Sequence, residues 1–101
     1  MNLSTELKEH IINIIQTKLS HFSEVSKIIL FGSFLKSKNP NDIDIAIIQN
    51  SNDNYLTLSL RYRKALRELS KKIPLDIIPI KNNTHSIFLN EINQGYIIYE
   101  R

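Results

Sequence analysis

A chain of 101 residues, 42% hydrophobic and 23% charged, is large enough for one modest core and too small for a second domain. It has no cysteine, which excludes a disulfide framework and a thiolate metal site, and no apolar run approaching the ~20 residues of a membrane span. The net charge of +3, with a pI near 9.3, biases the chain toward anionic partners without naming one.

Met1 to Glu9 lacks the basic start and apolar middle of a signal peptide, so the expected location is cytoplasmic, and residues 1–101 are read as a single domain. Ser4 to Phe22 reads as an amphipathic helix. Leu7, Ile11, Ile14, Ile15 and Phe22 keep helical spacing, Ser4 or Thr5 can cap the start, and Glu6 and Glu9 suit the positive end of the dipole. His10 and His21 fall at the edge of the apolar stripe with no partner at metal-ligand spacing, and read as boundary residues.

The next stretch, Ser26 to Gln49, organises the rest. An isoleucine-rich run ending at Phe31 predicts a first strand, Gly32-Ser33 follows, and Ser33 to Ser37 reads as a helical turn. Lys36 and Lys38 lie in the connection, and Asn39-Pro40-Asn41 is a turn signal that leads into a second strand opening with Asp42 and Asp44. Residues i and i+2 of a strand share a face, so these two carboxylates project together with Cα atoms roughly 6.5–7 Å apart. At that distance they repel by about 2–3 kcal/mol at an effective dielectric of about 20. A divalent cation reverses the sign, and hard oxygen ligands suit Mg²⁺. Gly32 lets backbone approach a ligand closely, and Ser33 can cap a turn whose free N–H groups receive phosphate. Further along the second strand Ala46 and Ile48 continue the Asp42 and Asp44 face, while Ile43, Ile45 and Ile47 fill the other. The strand therefore becomes buried on both sides, unlike a wet edge strand, which would stay polar on one face.

After a polar loop, Tyr55 to Ile73 predicts one long helix with Tyr55, Leu58, Tyr62, Ala65, Leu66, Leu69 and Ile73 as its apolar stripe. Arg61, Arg63, Lys64, Arg67, Lys71 and Lys72 against Glu68 give this segment a charge of +5. A solvated helix face is the plain reading of such a run. Leu56 and Leu60 fall on the far side with Arg63 and Arg67, the mixture expected of a partner-binding face. Pro74 to Ile80 predicts a third strand with prolines at its start and end; its one charge, Asp76, is either a solvent-facing edge residue or a third site carboxylate. Thr84 can cap a last helix carrying Ile87, Phe88, Leu89 and Ile92, stopped near Gly95, with His85 a surface residue. Tyr96 to Tyr99 can add an edge strand, and Tyr55, Tyr62, Tyr96 and Tyr99 read as core or boundary aromatics.

The order strand, Gly32-Ser33, connection, Asp42-Ile43-Asp44 in a strand and Asp76 on a later strand resembles the DNA polymerase β-type nucleotidyltransferase superfamily. In length it is similar to the minimal nucleotidyltransferases (MNT), many of which are antitoxins of HEPN-domain toxins. The resemblance spans the whole chain and is most specific over Phe31 to Ile48. It implies an α+β (α/β-type) fold, a single small polymerase β-like nucleotidyltransferase domain with a short mixed β-sheet flanked by helices. It also selects the site reading of Asp76. It further implies two Mg²⁺ ions on Asp42, Asp44 and Asp76, Asp76 next to the acceptor hydroxyl, and Gly32 and Ser33 at the β- and γ-phosphates of ATP. The implied reaction is AMP transfer to a tyrosine hydroxyl of a HEPN toxin, making the chain the antitoxin of a type VII-like toxin–antitoxin pair. The chain departs from the family at one place: the connection from Gly32 to Asp42 is shorter than usual, and Lys36 and Ser37 stand where an arginine and glycine are common. Two alternatives stay open. One is a binding antitoxin with a vestigial site; the other is an enzyme whose acceptor is nucleic acid or a small molecule, with the basic helix as the footprint of direct nucleic-acid binding.

Overall fold

The computed structural model describes residues 4–32, 34, 41–81 and 95–101. Helix α1, Thr5–Leu19, starts at Ser4, whose Oγ accepts the Leu7 N–H at 3.1 Å, and buries Ile11, Ile15 and Leu19. It stops three residues short of the expected Phe22: after the last helical bond, from the Ser20 N–H to the Gln16 carbonyl, tight turns closed by Phe22 on Leu19 and by Val25 on Phe22 lead the chain to the sheet at Val25. Strand β1, Val25–Phe31, pairs antiparallel with β2, Ile43–Gln49.

The chain then climbs through α2, Tyr55–Ala65, and the short α3, Arg67–Ser70, to β3, Leu75–Lys81, which pairs parallel with β2. A parallel pair needs such a crossover, and the helical segment supplies it. Asn54 caps α2 by accepting the Thr57 N–H at 2.8 Å. The single long helix expected over Tyr55 to Ile73 is broken at Leu66, which leaves helical geometry at φ −105°, ψ 19°. The break coincides with burial of Leu66, Leu69 and Ile73, which turn under the sheet ahead of Pro74. Strand β4, Tyr96–Glu100, joins β1 antiparallel, giving a four-stranded mixed sheet in the order β3-β2-β1-β4.

Both faces of the central strands are covered. On one, Ile28, Leu30, Ile43, Ile45 and Ile47 pack with residues of α1, α2 and α3. On the other, Ile29, Ala46, Ile48 and Ile80 form a smaller cluster joined by Phe31 and Ile78. The two-sided burial expected of the Asp42 to Ile48 run is therefore present. Of the four tyrosines only Tyr62 is core, and Tyr99 is half-buried; Tyr55 and Tyr96 are 59% and 56% exposed, which corrects their expected place at the core or its boundary. Tyr55 opens α2, ahead of the first turn that reaches the sheet, so its position on the stripe does not bring it inside.

Prolines were expected to bound the third strand, but β3 runs through Pro79. The Pro74 carbonyl accepts the Ile43 N–H at 3.0 Å, so by strand alternation residues 76, 78 and 80 face β2 and Pro79 faces the open edge, where a missing N–H breaks no ladder bond. The helix expected after Thr84, with His85, and the turn expected at Ser33 to Ser37 apart from Phe34 lie outside the described residues. No described helix is long and apolar enough to cross a membrane.

Candidate active site

The site forms where β1 ends and β2 and β3 begin. Phe31, the last residue of β1, is the register partner of Asp44, and Asp44 is in turn the register partner of Asp76. Three strands thus place Gly32, Asp44 and Asp76 side by side, with Asp42 one residue ahead of β2. Asp42 and Asp44 are half-buried and Asp76 is exposed.

Gly32 is held in the left-handed region at φ +81°, the one positive φ among the described residues. A Cβ there would overlap Asp44 Oδ2 and stand 3.2 Å from its Cγ. Glycine is therefore required twice, by its backbone angle and by the carboxylate lying over it. Sequence reasoning assigned Gly32 to close approach of a ligand; the room it leaves for Asp44 was not legible, because it depends on the pairing of β1 with β2.

The Asp44 carboxyl is pushed above the ordinary carboxylate range. Burial is the leading cause, followed by the negative charges of Asp42 and Asp76 and a side-chain hydrogen bond with Asp76. Like charges gathered at one strand end repel, and a cation bound among them would relieve that repulsion. Among the described residues no three acidic, histidine or cysteine side chains gather tightly enough to cage a metal ion. The donor set nevertheless fits Mg²⁺, which takes one or two protein carboxylates and completes its shell with water and substrate phosphates. Asp44 and Asp76 form the close pair and Asp42 flanks it. Ser33, Lys36 and Lys38 lie outside the described residues.

The remaining candidates stand apart from these acids. His10 and His21 are exposed on and after α1, as boundary residues. The basic segment, taken as one run in sequence, divides in space. Arg61 pairs with Asp53 at 2.8 Å and Glu24 at 3.5 Å, and Lys71 pairs with Glu68 at 3.3 Å. Arg63, Lys64 and Arg67 instead line a groove of about 470 Å³ against β3. Sequence reasoning also missed a buried polar link: the Tyr62 hydroxyl donates to Glu24 Oε2 at 2.9 Å, and burial beside that carboxylate holds the phenol well above its usual range. No local signal announces a contact between residues so far apart in the chain.

Residues 9–101 match the sequence profile of the family described as polymerase beta, nucleotidyltransferase. No curated protein sequence matches. Among solved structures, the complex of a tri-AMPylated Shewanella oneidensis HEPN toxin with MNT antitoxin contains a chain similar at 18% identity and TM-score 0.61, over 93% of this chain and 70% of that one. A candidate nucleotidyltransferase from Sulfolobus solfataricus is similar at 17% identity and TM-score 0.56, over 95% of this chain and 82% of that one. A mutant of the MntA–HpeT toxin–antitoxin complex matches at 19% identity and TM-score 0.56, over 93% and 72%. At these identities the likeness establishes the fold.

Proposed function

This chain belongs to the polymerase beta nucleotidyltransferase family, matched over residues 9–101, and on that premise we propose that it is a Mg²⁺-dependent nucleotidyltransferase that transfers AMP from ATP to a protein hydroxyl. The acceptor we assign is a tyrosine of a HEPN-domain toxin, which makes the chain the antitoxin of the pair, working in the cytoplasm where ATP is supplied. The observation that carries the reading is the placement of Asp44 and Asp76 as register partners on adjacent strands, with the Asp44 carboxylate lying over Gly32. Similarity of fold to chains from HEPN–MNT complexes supports the choice of partner.

In this reading Asp42, Asp44 and Asp76 hold Mg²⁺, and Gly32 with Ser33 receives the distal phosphates. Bound there, the cations supply charge neutralisation at the α-phosphate and the leaving pyrophosphate. Asp76, the most exposed of the three acids, faces the acceptor. The acceptor oxygen forms a bond to the α-phosphorus as the α–β phosphoanhydride bond breaks. Pyrophosphate leaves with that electron pair, and the hydroxyl proton passes to the Asp76 carboxylate. Asp44, held over Gly32, fixes the carboxylate array on the rigid β2 strand.

Intact-mass spectrometry tests this directly. After incubation with the chain, ATP and Mg²⁺, the product of the neighbouring gene, tested as the candidate HEPN-domain partner, should gain one or more AMP units, and Asp44→Asn should abolish the gain. An unshifted mass in a partner that still forms a tight complex would select a second reading, neutralisation by binding alone. The exposed Leu56 and Leu60 beside cations that no described residue pairs favour that reading as far as binding goes. An Asp42→Asn, Asp44→Asn double variant that still protects cells would establish it.

A further inference from the structure

The basic groove on the far side of the crossover has no part in the chemistry above. Leu60, Arg63, Lys64 and Arg67 line one wall of it and Leu75 and Ile77 of β3 the other, enclosing about 470 Å³. Arg63, Lys64 and Arg67 make no ion pair with any described residue, whereas Arg61 and Lys71 nearby do. One turn before Leu60, Leu56 extends the same helix face; Leu56 is 67% and Leu60 59% exposed. Three of the six exposed large hydrophobics among the described residues, Tyr55, Leu56 and Leu60, lie on α2. The groove thus has an apolar floor and a positive rim.

We propose that this groove docks an acidic amphipathic helix of the partner protein, its apolar side on Leu60 and the half-buried Leu75 and its carboxylates on Arg63, Lys64 and Arg67. The inference rests on reading the chain as the partner of a HEPN toxin and adds the surface through which the two meet. Charge complementarity selects the occupant: three cations that no described residue pairs, around exposed leucines, match a segment both acidic and apolar. Strand addition at the adjacent β3 edge is disfavoured, because Pro79 faces outward without an N–H to donate. RNA fits less well, since among the described residues no aromatic side chain lines the groove for a base to stack on, and RNA leaves Leu56 and Leu60 without a role.

The test compares the full chain with Arg63→Glu/Arg67→Glu, using two probes: the product of the neighbouring gene, as the candidate HEPN-domain toxin, and a fluorescein-labelled single-stranded RNA. All substituted side chains are exposed, and the milder Arg63→Ala/Arg67→Ala and Leu60→Ala variants are run in parallel in case charge reversal disturbs folding. The expected result is a rise in Kd for the toxin of roughly 30-fold or more on charge reversal, a smaller rise for the alanine variants, and an unchanged melting temperature. Toxin binding as tight in the reversal and alanine variants as in the parent, with AMP transfer intact, would overturn the groove and leave the enzymatic reading standing. Loss of RNA binding with toxin binding unchanged would reassign the groove to nucleic acid. If the unsubstituted chain neither binds nor modifies the toxin, the functional reading fails and takes this inference with it.

Discussion

At the scale of single residues the site is built on one close approach, the Asp44 carboxylate over the Cα of Gly32. Gly32→Ala must meet both a left-handed backbone and an occupied Cβ position. It should cost about 1–3 kcal/mol of stability in urea unfolding and displace Asp44, with AMP transfer lost even where the variant stays folded. Asp44→Asn should act in the opposite sense on stability. The Asp44 carboxyl is raised in the folded state, so the native chain holds its proton more tightly than the unfolded chain. Its contribution is therefore fully present below the unfolded value of about 3.9 and is lost as pH rises through the folded value. Removing the charge should raise stability at neutral pH by about 0.2–1 kcal/mol, the size of a like-charge cross-strand pair, with no gain below the unfolded value. Thermal melts across pH check the sign. Added Mg²⁺ should raise the melting temperature of the parent and not of Asp44→Asn, because only the parent keeps the repelling carboxyls that a cation relieves.

At the scale of elements, the crossover segment joins the sheet by a polar contact as well as an apolar one. Tyr62 of α2 packs edge-on against Phe22, with ring centroids 5.3 Å apart, and donates its hydroxyl to Glu24 just before β1. Tyr62→Phe should keep the ring packing and lose about 1–3 kcal/mol, the range for a hydrogen bond to a charged group, while the site geometry and AMP transfer remain. Denaturant unfolding and activity measured on the same variant separate the two effects. The broken helix follows the same logic. A continuous helix over Tyr55 to Ile73 satisfies local propensity, yet ending it at Leu66 lets Leu66, Leu69 and Ile73 reach the core before Pro74. Burial of three large side chains outweighs the few backbone hydrogen bonds lost at the break.

At the scale of the whole molecule, the sheet keeps the two proposed surfaces apart. Asp76 and the groove residues Leu75 and Ile77 alternate along β3, so the carboxylates and the cations sit on opposite faces of one strand. The net charge of +3 hides this segregation. Association with an acidic partner should accordingly slow as salt rises to about 0.5 M, with the effect on the on-rate exceeding that on the off-rate, as stopped-flow measurement would show.

Much of this was open to reading from the chain itself. Strand β1, the two-sided burial of β2 and the cap at Ser4 are set by neighbours within a few positions, while the pattern of Gly32, Asp42, Asp44 and Asp76 was legible as a family resemblance. Turn chemistry and hydrophobic period act over that range, so the sequence by itself determined the elements and the kind of site. Tertiary structure alone decided what lies against what. Strand register put Asp44 over Gly32 and beside Asp76, core packing broke the crossover helix at Leu66, and the edge position of β3 made room for Pro79. It also separated Arg61, which is paired, from Arg63, Lys64 and Arg67, which are not. These outcomes depend on contacts between residues tens of positions apart, whose energies come from pairing and burial and leave no trace in local composition.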